Sequence, residues 1–109
     1  MDTAKVLLID DERALRRNLS VGLMQGGYET VPCPDGFSAL NTLEMYTERG
    51  MPIDYVVTDI YLPDIDGLKL LKVIKSRYPD LPVFVMSGYG DESTPTIVEK
   101  ESGNGYLDK

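Results

Sequence analysis

Short apolar runs alternate along the chain with stretches whose apolar residues recur at helical spacing. Lys5–Ile9 (KVLLI) is apolar almost throughout and ends in acid, the pattern of a strand buried on both faces. From Glu12 onward, Ala14, Leu15, Leu19, Leu23 and Met24 fall near i, i+4, i+8 and predict a helix. Asp10 or Asp11 can cap it, and Gly26-Gly27 ends it. Tyr28–Cys33 (YETVPC) reads as a weaker strand whose Pro32 suits a sheet edge or the strand's end. Asp35–Glu48 places Phe37, Ala39, Leu40, Leu43 and Tyr46 on one helical side and stops near Gly50 and Pro52. Asp54–Ile60 (DYVVTDI) is a third strand, followed by a loop with Pro63 and Gly67 and a helix from about Leu68 to Arg77. Leu81–Met86 (LPVFVM) is a fourth strand, running into Ser87-Gly88-Tyr89-Gly90. Asp91–Glu101 is polar, and its Pro95 fits only near a helix start, so this is the least defined helix. Gly105–Lys109 (GYLDK) opens a fifth strand.

Strands and helices that alternate with short loops build a parallel sheet with helices on both faces. Ligands of such sheets gather at the carboxyl ends of the strands, where the strand order reverses. That rule selects Asp10 and Asp11 after strand 1, Asp59 at the end of strand 3, Ser87 after strand 4 and Lys109 at about the end of strand 5.

Composition narrows the field. A chain of 109 residues is one domain by length, and 42% hydrophobic with 27% charged residues is ordinary for a globular protein. A net charge of −7 argues against a nucleic-acid-binding surface, which needs clustered Lys and Arg. The one local basic group, Arg13, Arg16 and Arg17, reads as a solvated helix face. No apolar run approaches membrane-spanning length, and the amino-terminal apolar run is too short for a signal peptide. A single cysteine, Cys33, excludes an internal disulfide and fits a reducing cytoplasmic setting. With no histidine anywhere, Cys33 lacks the usual partner of a thiol nucleophile and is read as inert.

Three carboxylates brought together repel one another, and a divalent cation among them relieves the repulsion. Oxygen-only ligands favour Mg²⁺ or Mn²⁺ over Zn²⁺. A carboxylate beside such an ion can attack phosphorus to give an aspartyl phosphate, with the protein positioning groups and neutralising charge. Each residue also has a plainer reading: an Asp-Asp pair caps a helix, a Ser-Gly pair makes a turn, a terminal Lys is a solvated charge. The site reading prevails because all of them fall on one sheet edge in order. Asp64 and Asp66, between Pro63 and Gly67, belong instead to turn and helix-cap chemistry. A calcium loop starting at Asp64 fails because its fifth and twelfth positions are Leu68 and Lys75.

The pieces VLLIDDE, VVTDIYLPDIDGLKLL, VFVMSGYG and GYLDK, in this order and spacing across the chain, resemble the receiver domain of two-component response regulators. The resemblance implies a flavodoxin-like (Rossmann-like) α/β fold with a five-stranded parallel sheet in the order 2-1-3-4-5. It implies that Asp59 accepts a phosphoryl group from the phosphohistidine of a sensor kinase or histidine phosphotransfer protein. Asp10, Asp11, Asp59 and the backbone oxygen of Tyr61 hold the metal. Lys109 pairs with the phosphoryl oxygens, Ser87 moves to hydrogen-bond them, and Tyr106 is the coupled aromatic of the switch. The output is an attached domain or target protein, controlled through the helix 4/strand 5 face.

The resemblance further implies a signalling acceptor in the cytoplasm rather than an enzyme. Residues 1–109 form a single receiver domain, C-terminally incomplete, because the family continues past this lysine into a fifth helix. A piece cut short is favoured over a naturally incomplete domain. Without that helix, apolar surface on strands 1 and 5 stays uncovered and offers a surface for homodimerisation. Tyr61 and Tyr89 stand where they can shield an acyl phosphate from water. Two other readings compete. One is a pseudo-receiver that binds partners without phosphorylation, against which the intact acidic set argues. The other is an Asp-nucleophile Mg²⁺ phosphohydrolase of the haloacid-dehalogenase type, which needs an acid two residues past the nucleophile. Asp59 has Tyr61 there.

Overall fold

The computed structural model describes residues 3–86 and the backbone of residues 87 and 105–108. Their elements run β1 (Lys5–Ile9), α1 (Arg13–Gln25), β2 (Glu29–Cys33), α2 (Gly36–Glu48), β3 (Tyr55–Asp59), α3 (Gly67–Arg77), β4 (Val83–Ser87) and β5 (Gly105–Asp108). The helix expected over 91–101 lies outside the described residues, as do Tyr89 and Lys109.

All strand pairs are parallel, in the order β2-β1-β3-β4-β5. The expected flavodoxin-like order is therefore present. Pro32 sits on edge strand β2, opposite Leu8, where its missing N–H can face away from the ladder.

The apolar strands supply both faces of the sheet. Leu7, Val56 and Val83 are register partners, and with Ile9 and Val85 they form one fully buried face. Onto it pack Ala39 and Leu43 of α2 and Leu70, Leu71 and Ile74 of α3, each at most 1% exposed. These side chains are the apolar stripes of the two helices, and their burial is the main stabilising term of the fold. Val6, Tyr55, Val57 and Phe84 lie on the opposite face, where with Leu23 of α1 and Tyr28 they line a groove of about 310 Å³.

Helix α1 therefore packs loosely. None of its residues is buried, Met24 is 62% exposed, and Tyr28 and Tyr55 keep more than a third of their surface in water. Phe37 also departs from expectation. Its helical spacing puts it with the apolar residues of α2, yet it is 57% exposed, while the buried positions of α2 are Gly36, Ala39 and Leu43.

The helix starts also differ in detail. α1 begins after Glu12, which makes no side-chain cap bond; Asp10 instead accepts from the Glu12 backbone N–H at 2.9 Å. Asp35 caps α2 through Ser38 N–H at 2.8 Å, and Asp66 caps α3 through Leu68 N–H at 2.8 Å. Cys33 is buried with its thiol 3.5 Å from the Thr42 hydroxyl, and burial pushes its pKa up, in keeping with a packing role.

Candidate functional site

The carboxyl edge of the sheet is where the apolar runs stop and acids begin. The β1–β2 ladder continues one residue past β1, with Asp10 N–H donating to the Cys33 carbonyl at 3.1 Å. Arg16 reaches back from α1 to donate to the Asp10 carbonyl at 2.7 Å. These bonds hold Asp10 fully buried at the start of the β1–α1 turn, while Asp11 stays exposed. Arg16 thus has a structural task that a purely solvated helix face does not.

Asp59 is the last residue of the central strand and is 3% exposed. One of its carboxylate oxygens accepts from Tyr61 N–H at 3.2 Å, and Ile60 N–H donates to the Met86 carbonyl at 3.2 Å. The loop that follows is closed at its base by an antiparallel bridge between Tyr61 and Asp66 and by Gly67 N–H donating to the Ile60 carbonyl at 2.7 Å. Gly67 must be glycine for this geometry. A Cβ there would collide with the Asp59 carbonyl oxygen and come within 2.7 Å of Ile60 backbone atoms.

Asp10, Asp11 and Asp59 each offer an oxygen within 4.8 Å of the other two. Two buried carboxylates and one exposed one, with no nitrogen or sulfur donor, suit a hard divalent cation that keeps several waters, Mg²⁺ or Mn²⁺ rather than Zn²⁺. Among the described residues, the cluster is open to solvent on the side of Asp11.

The other expected site residues are placed less completely. The backbone of Ser87 ends β4 in register with Asp108, and the backbone of Tyr106 pairs with Val85. Both strand ends therefore reach the same edge as Asp59, which pairs with Met86. Asp64 and Asp66 stay out of the acidic cluster, as expected. Asp64 does something the sequence did not disclose: its carboxylate caps a different helix, α2, through Gly36 and Phe37. Nothing in the local pattern PDIDG signals that reach.

Comparison with known proteins now decides the family. The family model of the response regulator receiver domain matches residues 6–109. The chain belongs to the response regulator receiver family. The match agrees with the acidic edge and the 2-1-3-4-5 sheet. This receiver is 38% identical over 106 residues to the response regulator protein FleR of Pseudomonas aeruginosa, covering 97% of the chain and 21% of FleR. It thus spans a fifth of the length of that relative. A response regulator receiver domain protein from Clostridium thermocellum superposes with a TM-score of 0.85 at 32% identity, over 97% of this chain and 82% of that one. The beryllofluoride-activated NtrC4 receiver domain dimer superposes with a TM-score of 0.85 at 28% identity, over 96% of this chain and 83% of that one. Among the described residues no helix is long and apolar enough to cross a membrane.

Proposed function

We propose that this receiver is a phosphorylation-dependent switch whose acceptor is Asp59. The observation that carries the reading is the placement of Asp59. It ends the central strand, is nearly buried, and lies with two further carboxylates within 4.8 Å. Of the three acids it alone is itself the last residue of a strand, while Asp10 and Asp11 follow the end of β1.

In the transfer, an Asp59 carboxylate oxygen attacks the phosphorus of a phosphohistidine. The new O–P bond forms as the P–N bond breaks, and the imidazole nitrogen leaves with the electron pair and takes up a proton. Asp10, Asp11, Asp59 and the Tyr61 backbone oxygen are the residues that would hold Mg²⁺, or Mn²⁺. Bound there, the ion supplies neutralisation of charge on the phosphoryl oxygens. The Ile60–Met86 bond ties the backbone beside Asp59 to β4, so the acceptor carboxylate is carried on a fixed strand end. Lys109 and Ser87 are proposed to bind the phosphoryl oxygens, and Tyr106 to couple the site to the output face. The switch is then a local change of charge that biases a two-state element.

The partners that follow are a histidine kinase or phosphotransfer protein as donor and an output domain or target protein as receiver of the signal, in the cytoplasm. The domain itself is proposed to be an acceptor with at most autodephosphorylation. A homodimer through the helix 4/strand 5 face is an accessible form of the active state. Tyr61, 57% exposed beside Asp59, is placed to screen the acyl phosphate from water. On that view Tyr61→Asn loses its phosphoryl group faster than the parent.

The test uses acetyl phosphate with Mg²⁺ and intact-protein mass spectrometry. A single phosphoryl increment should appear in the parent, vanish with a chelator, and be absent from Asp59→Asn. A label that persists in Asp59→Asn refutes the assignment.

A further inference from the structure

The loop after β3 is fastened to a second helix far away in sequence. Asp64 accepts from Gly36 N–H through one carboxylate oxygen at 2.9 Å and from Phe37 N–H through the other at 2.8 Å. Both donors belong to the first turn of α2, whose N–H groups have no partner within the helix. Asp35 already takes the third, Ser38 N–H. The local cap and the distant one therefore divide the work. Partial desolvation pushes the Asp64 carboxyl up. The N–H groups of Phe37, Gly36, Asp64 itself and Ile65 outweigh that and hold it below the usual carboxylate value. A side chain at Gly36 would collide with Ile65, so the loop tip lies directly against the start of α2.

These bonds form a continuous path along the acidic edge. Asp10 N–H is bound to the Cys33 carbonyl, β2 leads into α2, and the start of α2 is held by Asp64. Asp64 belongs to the loop that begins at Asp59, whose carboxylate accepts from Tyr61 N–H. Asp10 and Asp11, just after β1, lie at one end of this path and the backbone at Tyr61 at the other. Asp64 links its two halves.

We propose that Asp64 is a positioning residue for the divalent cation: by clamping the β3–α3 loop to α2, it sets the Tyr61 backbone oxygen relative to Asp10 and Asp11. This rests on the metal-assisted acceptor reading above. Asp64 touches neither the ion nor the phosphoryl group. Its effect passes through the loop, as the outer partners of metal ligands act by fixing ligand orientation, with losses of about 10- to 100-fold in affinity when removed. Because the clamp acts on one backbone ligand and leaves the carboxylates in place, the low end, about tenfold, is expected.

Isothermal titration calorimetry of Mg²⁺ binding tests this on the parent, Asp64→Ala, Asp64→Asn and Asp35→Ala. Asp64→Ala should bind about tenfold more weakly. Asp64→Asn keeps one acceptor oxygen and should fall between the two. Asp35→Ala removes a bond from the same helix end without touching the loop, so it should lower the melting temperature yet leave Mg²⁺ affinity at the parent value. In NMR spectra, Mg²⁺ should shift the Gly36 and Phe37 amide signals of the parent but not those of Asp64→Ala. Parent-like affinity in Asp64→Ala, with a lowered melting temperature, overturns the proposal and leaves Asp64 a helix cap. Should Asp64→Ala fail to fold, parent-like affinity in Asp64→Asn overturns it equally. A parent that binds no Mg²⁺ overturns the metal reading itself, and the proposal with it.

Discussion

Replacing Gly67 with alanine adds one methyl group at the base of the acceptor loop. That methyl would meet the Asp59 carbonyl oxygen, the Ile60 Cα at 2.6 Å and the Ile60 carbonyl oxygen at 2.7 Å. All three are backbone atoms, so no side-chain rotation relieves the overlap. The backbone is also pinned, by Gly67 N–H on the Ile60 carbonyl at 2.7 Å and by Ile60 N–H on the Met86 carbonyl at 3.2 Å. Overpacking of this kind costs about 1–3 kcal/mol, and a rigid neighbour puts it near the top. Alanine gains up to about 1 kcal/mol from helix propensity and a less flexible unfolded chain. The net loss is about 2 kcal/mol, which for a domain of this size lowers the melting temperature by roughly 10 °C. Thermal melts followed by circular dichroism measure it. Gly22→Ala is the matched control. Its methyl meets nothing within 4 Å in the middle of α1, so it should raise the melting temperature by a few degrees, about 0.5–1 kcal/mol. A Gly67→Ala protein that melts at or above the parent temperature would show that the loop base is not tight and that Asp59 is not held by it.

Asp35→Ala removes the side-chain cap of α2 and should cost about 1 kcal/mol, read as a lower midpoint in urea with an unchanged slope. Leu43→Ala empties a site that is 1% exposed between α2 and the sheet and should cost about 2–5 kcal/mol, several times the cap. The Asp64 carboxyl has a depressed pKa in the folded protein, so its contribution is present above the unfolded value of about 4 and is lost as pH falls through the folded value. The gap in melting temperature between the parent and Asp64→Ala should therefore be constant near neutrality and close below about pH 4. A gap that widens in acid would contradict the sign.

The apolar runs announced the strands because strands buried on both faces need no polar positions, and KVLLI, YVV and VFVM have almost none. Their ends are marked by the first acids, which is why Asp10, Asp11 and Asp59 are legible as sharing one edge. Asp66 was legible as a cap for the same local reason. What stayed hidden is non-local. Asp64 reads as a turn residue, and its bonds run to α2, 27 and 28 residues away. The need for glycine at position 67 arises from the close approach of the loop base to α3. Periodicity also overstated α1 and Phe37, since a helical stripe says which side faces inward but not how much covers it. Sheet order came from family resemblance, because strand pairing between distant runs leaves no mark on either run alone.

Three acids share the sheet edge, and Asp59 is the proposed acceptor among them. Borohydride reduces an acyl phosphate to the alcohol and so converts a phosphorylated aspartate to homoserine. The receiver, treated with acetyl phosphate and Mg²⁺ and then reduced and digested, should carry homoserine at position 59 alone. Homoserine at position 10 or 11, with Asp59 unmodified, would contradict the assignment of the acceptor and the reading of the site built on it.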